Sequence, residues 1–520
     1  MDVAQKEYDL AVSCLQKGDN SQALEKFKNV LKIDNKHVLG QHYFGLLSIS
    51  LGKGVISSAQ AMNRALRSDP SSKIMRDNHF GIALVAYREG KKSIAMLLLE
   101  FASSLLKNDL ELISNLARIY LLNNKAEQAW ELLEKVEIQK DFNCLFYQAV
   151  SAKFMNRENQ ATQLFNQALR LNPLQVLGMN NKHAKSEQKA KVLVCFATEK
   201  IPFQVHAKNE QIAFSISGGH FSTDILLRGA SVSQKQLFIS GSKACQQYLA
   251  DIDQYDVVIN AISDPEIAKE SLTILQEGLV GKNVRLINPP EFVLPTTREE
   301  IYQRIAKIPQ VLMAQTWQLK LQGSAEQCKK QLADIEPPYL LRPLGSSTGV
   351  GLSKIDNIEE INPLLPSLNN QVLNICPFIN FKSADGRYRK YRVFVIGGDI
   401  YPEHCVISNH WNVHSSSRLI LMRDNDQYRK EEERFTADIS NVLNAKQLRA
   451  IKDIADVLKL DYFGIDFSLM DDGTLLVFEA NSGMRVNSDY NQEFPYLRPA
   501  IEKICLGFGK MLNNKLQQKL

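Results

Sequence analysis

Gly464-Ile465-Asp466-Phe467-Ser468-Leu469-Met470-Asp471-Asp472-Gly473-Thr474-Leu475-Leu476-Val477-Phe478-Glu479-Ala480-Asn481 reads as a β-hairpin. An apolar-rich strand meets an Asp-Asp-Gly turn, and a second apolar strand ends abruptly in Glu-Ala-Asn. Asp466 can sit opposite the end of the second strand, where Glu479 and Asn481, two apart, share one face. Two carboxylates and an amide oxygen converging there are hard ligands. They suit a magnesium ion that keeps some waters and takes its other ligands from nucleotide phosphates. Acidic strand ends and Asp-Asp-Gly turns are also ordinary structure, so the hairpin gains meaning from a second motif upstream.

That motif is Pro338-Tyr339-Leu340-Leu341-Arg342-Pro343-Leu344-Gly345-Ser346-Ser347-Thr348-Gly349-Val350-Gly351-Leu352-Ser353-Lys354-Ile355. An apolar strand presents one cation, Arg342, then gives way to a loop rich in glycines and hydroxyls, and a further strand leaves the loop. Glycines let backbone amides approach phosphate oxygens, hydroxyls add donors, and the cation neutralises charge. The position between two strands separates this loop from an ordinary Gly-Ser linker.

With both motifs in order, the chain from about residue 190 to 515 resembles the ATP-grasp superfamily. Its members include D-alanine–D-alanine ligase, glutathione synthetase and the ligases that add glutamate to ribosomal protein. They clamp ATP between two α+β subdomains and join a carboxylate to an amine. The resemblance implies ATP and one or two Mg2+ ions as cofactors, with Asp466, Glu479 and Asn481 as metal ligands. Arg342-Pro343 matches the family's strand Lys-Pro, and Gly345, Ser346, Ser347, Thr348 and Gly349 match its mobile phosphate loop. Asn374-Ile375-Cys376-Pro377-Phe378-Ile379 resembles the hinge strand whose backbone, near Cys376 and Ile379, binds the adenine edge. Arg298, after Pro295-Thr296-Thr297, stands where the family has a phosphate-binding lysine. Both family lysines are thus arginines here, a planar fork in place of a compact ammonium.

The same resemblance implies catalytic roles for Arg392, beside the transferred phosphate, and for Arg342. Arg485, just after the metal strand, is a candidate catalytic residue that can grip a carboxylate through bidentate contacts. Arg387 and Arg389 are further candidates for that grip. D-alanine–D-alanine ligases carry an arginine two residues before the first metal aspartate, where this chain has Gly464. The glutathione synthetases and ribosomal-protein ligases therefore fit better. His404, His410 and His414 crowd into Pro402–Arg418. They are open to three readings: a transition-metal site with Glu403, a strand face toward substrate, or ordinary packing.

The first third has a different grammar. Phe27–Asn35, Met62–Pro70 and Phe165–Pro173 share one helix-ending pattern, and a small residue recurs at Ala11, Gly45, Ala83, Ala117 and Ala149, a spacing of about 34 residues. Seven residues later come Gly18, Gly52, Gly90, Asn124 and Asn156, turn residues that end a helix in a left-handed conformation. Then follow Ala23, Ser57 or Ser58, Ala95, Ala129 and Ala161, small residues for close helix crossings. This resembles about five tetratricopeptide repeats (TPRs) over residues 4–176, with the third lengthened. It implies a concave surface for a peptide or protein partner; a rigid spacer or dimerisation element is the alternative.

The expected fold is therefore an all-α TPR solenoid (1–176) and a lysine-rich linker (177–190), followed by an α/β pre-ATP-grasp domain (191–297). An α+β ATP-grasp domain (298–515) completes it, with subdomains 298–372 and 373–515. In the α/β part Val192–Phe196, Gln211–Ile216 and Asp256–Asn260 read as buried strands of a mostly parallel sheet. Ser217-Gly218-Gly219-His220 is a candidate pocket corner, and Leu286–Pro290 closes the unit.

The 520 residues, 44% hydrophobic and 23% charged, suit several globular domains. A formal net charge of +5 is too small over that length to argue for nucleic acid. The eight cysteines form no Cys-x-x-Cys pair and read as reduced core thiols. No uncharged run reaches membrane-spanning length, and the N-terminus lacks the order of a secretory signal. The expectation is a cytoplasmic enzyme that activates a carboxylate as an acylphosphate and joins it to an amine. A nucleotide-binding scaffold without ligase activity is the alternative.

Overall fold

A computed structural model describes residues 3–136, 141–175, 190–199, 203–208, 211–216, 219–228, 230–345, 351–487 and 492–518. The chain divides into two compact units, Met1–Leu171 with Phe203–Ile216, and Asn172–Pro202 with Ser217–Leu520.

Among the described residues the first unit contains ten helices, α1 (Val3–Gln16), α2 (Asn20–Ile33), α3 (Val38–Ser50), α4 (Ile56–Ser68), α5 (Lys73–Arg88), α6 (Lys92–Leu105), α7 (Leu110–Leu122), α8 (Ala126–Glu134), α9 (Phe142–Phe154) and α10 (Glu158–Leu171). They follow the repeat spacing. Gly18, Gly52, Gly90, Asn124 and Asn156 all have φ between 58° and 78°, the left-handed turn that stops the first helix of each pair. The small residues sit at the crossings: Ala11, Ala83, Ala117, Ala149, Ala23, Ala95, Ala129 and Ala161 are fully buried. At Gly45 a Cβ would come within 2.5 Å of Ser58 O and 2.4 Å of Met62 Cγ. Ser58, rather than Ser57, is the buried residue of the second pair.

One strand read from the sequence forms with the expected bounds but in a different sheet. Gln211–Ile216 does not enter the parallel sheet but pairs with Phe203–Lys208 in a separate two-stranded ribbon, β3 (Phe203–Lys208) and β4 (Gln211–Ile216) in chain order. The ribbon packs on the last helix pair, where Phe203 stacks on Phe165 at 4.2 Å between ring centroids, and Phe214 meets Phe165 at 4.8 Å and Phe146 at 5.6 Å. Its alternation of apolar and polar residues fits a ribbon with one covered face. Linker residues 177–189, and Ser217 and Gly218 of the candidate pocket corner, lie outside the described residues.

The second unit opens on β1 (Leu174–Gln175) and β2 (Ala190–Ala197). With β5 (Val232–Ile239), β6 (Val257–Asn260) and β7 (Arg285–Ile287) they form one sheet in the order β1-β5-β2-β6-β7, parallel except for β1. Val192–Ala197 of β2 and Val257–Ile259 of β6 are apolar and buried, as strands covered on both faces require. A second sheet is antiparallel: β9 (Trp317–Lys320), β10 (Tyr339–Pro343), β11 (Ser353–Ile355) and β12 (Val372–Pro377), in the order β11-β10-β12-β9. The third contains β13 (Tyr388–Ile396), β14 (Asp399–Ser408), β15 (Tyr462–Leu469) and β16 (Leu475–Asn481), with β8 (Val311–Leu312) parallel at its edge, in the order β14-β13-β15-β16-β8.

Asn288 locks the first sheet to the third. Fully buried at the end of β7, with φ of 54°, it exchanges two side-chain hydrogen bonds with the backbone of Tyr462 at the start of β15. Its N–H donates to Asp461 Oδ2 at 2.9 Å, and its carbonyl accepts from Asn260 Nδ2 at 3.0 Å. Every polar group of this buried residue is thereby satisfied, which removes the desolvation penalty.

Candidate active site

The quoted hairpin is β15–β16, and its register places Asp466 directly opposite Glu479 and Gly464 opposite Asn481. On the other side of β15, Asp466 faces Arg392 of β13, and Arg392 faces His404 of β14. Directly paired residues share a sheet face. His404, Arg392, Asp466 and Glu479 therefore form one row across four strands.

Arg392 grips Asp466 through both oxygens, Nε to Oδ1 at 2.6 Å and Nη2 to Oδ2 at 2.9 Å. Lys390, two residues earlier and so on the same face, brings Nζ to 3.4 Å from Oδ2. Asp466 is buried, which by itself raises a carboxyl pKa, but Arg392 and then Lys390 outweigh burial and hold it well below the usual range. Burial likewise opposes the charge of Arg392, and Asp466 more than restores it.

Glu479 accepts at Oε1 from Arg298 Nη2 at 3.1 Å and from Asn481 Nδ2 at 2.7 Å. Asn481 Oδ1 accepts from the Gly483 N–H at 2.8 Å. The helix Arg298–Ile305 starts at Thr297, whose hydroxyl accepts from Glu300 N. This cap delivers Arg298 at the helix entry. Burial disfavours the Arg298 charge, but Glu479, Glu266 and Asp264 raise its pKa overall. Arg342, on β10, is affected in the opposite sense: burial and then Arg298 lower its pKa, while Glu479, Glu266 and Asp264 counteract. Cys376, at the end of β12, is pushed up to about 11 by burial, with Arg298 and Arg342 pulling down. These mutual influences bring Arg298, Arg342, Cys376 and Glu479 into one neighbourhood.

Gly345 and Gly351, with φ of 73° and 71°, bracket the loop. The first leaves no room for a side chain, since a Cβ would lie 2.7 Å from Ile267 Cδ1. Ser346, Ser347, Thr348 and Gly349 lie outside the described residues. On the hinge strand β9 pairs with β12 only as far as Ile375, so the backbone from Cys376 to Ile379 runs past that ladder. Phe378 N donates back to Pro338 O at 2.8 Å. Arg485 follows β16 in an exposed position, and its carbonyl accepts from Arg392 Nη1 at 3.4 Å.

The substrate-side expectations fare unevenly. Arg389 is held by Asp385 and Glu431, and Arg387 by Tyr428 and Asn409, so both brace the fold. The three histidines do not share a strand face, because β14 ends at Ser408. His404 is buried in the row and His410 Nδ1 accepts from Asn412 N. The His414 pKa is lowered by burial, then by Lys390 and Arg342. Among the described residues no three His, Cys, Asp or Glu gather as a metal centre. Gly464 is explained by packing: a Cβ there would lie 2.5 Å from Met484 Sδ and 2.7 Å from Met484 Cβ, so the place of the absent arginine is filled.

Sequence reasoning missed Lys390 and Glu266, and considered Glu403 only as a partner of the histidines. Lys390 was legible from its two-residue spacing to Arg392. Glu266 was not, for it acts from a loop, accepting from Arg298 N, Gln318 Nε2 and Asn374 Nδ2, all at 3.2 Å. Asp466, Glu479 and Asn481 supply hard oxygens on adjoining strand ends, a donor set that fits a divalent cation of the magnesium type.

No protein-family model and no curated protein matches the chain. Among solved structures, the chain is similar to the Aspergillus clavatus carboxyaminoimidazole ribonucleotide synthase complexed with ATP, at 14% identity over 60% of this chain and 77% of that one, with a TM-score of 0.36. VanG D-Ala:D-Ser ligase from Enterococcus faecalis matches at 11% identity over 63% and 100%, TM-score 0.37. MamA matches at 18% identity over 32% of this chain and 91% of its own, TM-score 0.25. At such scores none of these likenesses decides the activity of this chain. No helix among the described residues is long and apolar enough to cross a membrane.

Proposed function

We propose that the second unit is an ATP-dependent carboxylate–amine ligase of the ATP-grasp type. The observation that supports this most is the row Arg392–Asp466–Glu479, in which two like charges face each other and are offset by Arg392, Lys390 and Arg298. Like charges directly opposite destabilise a sheet, so the fold maintains them at a cost that a ligand site explains. Asp466, Glu479 and Asn481 would hold a divalent cation, which when bound neutralises the nucleotide phosphates. Arg298, Arg342 and the loop Gly345–Gly351 would bind the β- and γ-phosphates, and the backbone at Cys376 and Ile379 would meet the adenine edge.

The chemistry then needs only positioning and charge neutralisation. A substrate carboxylate oxygen attacks the γ-phosphorus and ADP leaves. Arg392 stabilises the acylphosphate, Arg485 orients the carboxylate, and an amine nitrogen displaces phosphate to give an amide. The helical unit supplies a peptide or protein partner surface on its concave side. Incubation with ATP, Mg2+ and pooled amino acids, read by mass, tests the reading. ADP release with a product formed by one condensation is expected from the wild-type chain and not from Glu479→Ala. Nucleotide binding without any product would leave a nucleotide-binding scaffold instead.

A further inference from the structure

Glu403 is a buried carboxylate for which the proposed chemistry has no task. It sits on β14 at a shift of register, where Arg392 faces His404 and Val393 faces Pro402, so that Glu403 is the extra residue of a bulge. Bulges of this kind re-aim a side chain. Glu403 is only 2% exposed. Its Oε1 accepts from Asn487 N at 2.6 Å, which ties it to the segment after β16. Its Oε2 lies 3.0 Å from His404 Nδ1 and 3.7 Å from Arg392 Nη1, in hydrogen-bond geometry with neither. A buried charged oxygen with no hydrogen-bond partner among the described residues is costly. This one stands beside a guanidinium whose Nε and Nη2 are both committed to Asp466.

We propose that Glu403 is a positioning residue, the second counter-ion of Arg392, which receives the guanidinium when a divalent cation takes the Asp466 carboxylate. The inference rests on the ligase reading of this site and adds a residue to it. A cation and Arg392 compete for the same two oxygens of Asp466. Without a second carboxylate, displacement would strand a buried positive charge, and that penalty would cancel much of the gain from cation binding. Glu403 flanks Arg392 at a short reach and has an oxygen to spare. Its bond to Asn487 N also means that the carboxylate receiving Arg392 steadies the segment carrying Arg485.

The test is a double-mutant cycle on the full chain, with Mn2+ as a paramagnetic probe titrated in the presence of ADP. Glu403→Gln is expected to weaken Mn2+ affinity by about tenfold in the wild-type background and by no more than about twofold in Arg392→Met, because the effect travels through the guanidinium. Equal weakening in both backgrounds would mean a simple through-space charge effect and overturn the proposal, as would unaltered affinity in Glu403→Gln. Glu403→Asp keeps the charge at a shorter reach and is expected to lose about threefold, which covers the case in which the glutamine variant does not fold. Failure of the wild-type chain to bind Mn2+ would instead overturn the reading of the site as an ATP–metal centre, and this proposal with it.

Discussion

Asp466 and Glu479 stand directly opposite each other on β15 and β16, yet each is neutralised from a different direction, Asp466 by Arg392 of the same sheet and Glu479 by Arg298 at a helix entry. The β15–β16 hairpin is thereby coupled to two elements far away in sequence. Replacing either arginine should leave one carboxylate exposed to its neighbour's charge.

Arg392→Met should therefore do two things. It leaves Asp466, buried and charged, with Lys390 alone at 3.4 Å, a change on the order of 3–5 kcal/mol in stability for a broken buried pair. Ligation should also fall by at least about a hundredfold if the guanidinium meets the transferred phosphate. Chemical denaturation and ATP-dependent ADP release measure the two separately, and an unchanged denaturation midpoint would contradict the buried pair.

Gly464→Ala places a Cβ within 2.5–2.9 Å of three Met484 atoms. Overpacking of this kind costs about 1–3 kcal/mol, so the thermal midpoint should drop. Met484→Ala introduced on the same chain should restore part of it. A Gly464→Ala variant as stable as the parent would mean that the Met484 side chain yields freely.

In the helical unit, His42 and His79 stack at 6.3 Å, and burial lowers both pKa values from 6.5 to about 4. A buried neutral histidine binds its proton only after the unfolded chain has done so. Stability from this pair is therefore fully present above pH 6.5 and is lost as pH falls from 6.5 toward 4, by up to about 1.4 kcal/mol per unit per histidine. Hydrogen exchange of α3–α5 amides should accelerate over that window. His79→Gln should flatten the dependence, and identical exchange at pH 7 and pH 5 in the parent would refute it.

Phe165→Ala removes the ring on which Phe203 and Phe214 both rest. A loss on the order of 3–5 kcal/mol is expected for a fully buried phenylalanine. Limited proteolysis should then cut first within 203–216, and cleavage confined to other segments would show that the ribbon is held by something else.

The helical repeat was legible because its signals are local: a left-handed turn residue and two small residues at fixed offsets, all of which the sequence displays. The β15–β16 hairpin was legible for the same reason. Gln211–Ile216 was placed in the wrong sheet because an apolar alternation states that one face is covered and not what covers it, and the covering rings come from α9 and α10. Glu403 was invisible as a partner of Arg392 because a bulge breaks the two-residue period that sequence reading assumes. The histidines failed where β14 ended sooner than their spacing implied.

The ribbon on the last helix pair has a practical consequence for anyone cutting this gene. The chain leaves the helical unit at Leu171, returns to it for Phe203–Ile216, and departs again. A deletion of residues 1–176 would strand two phenylalanines in water and yield a sticky, misleading truncate. A clean second unit calls for excision at two places. By the same logic, an end-to-end fusion of two ready-made genes does not generate this layout, which also needs a matching insertion after β2.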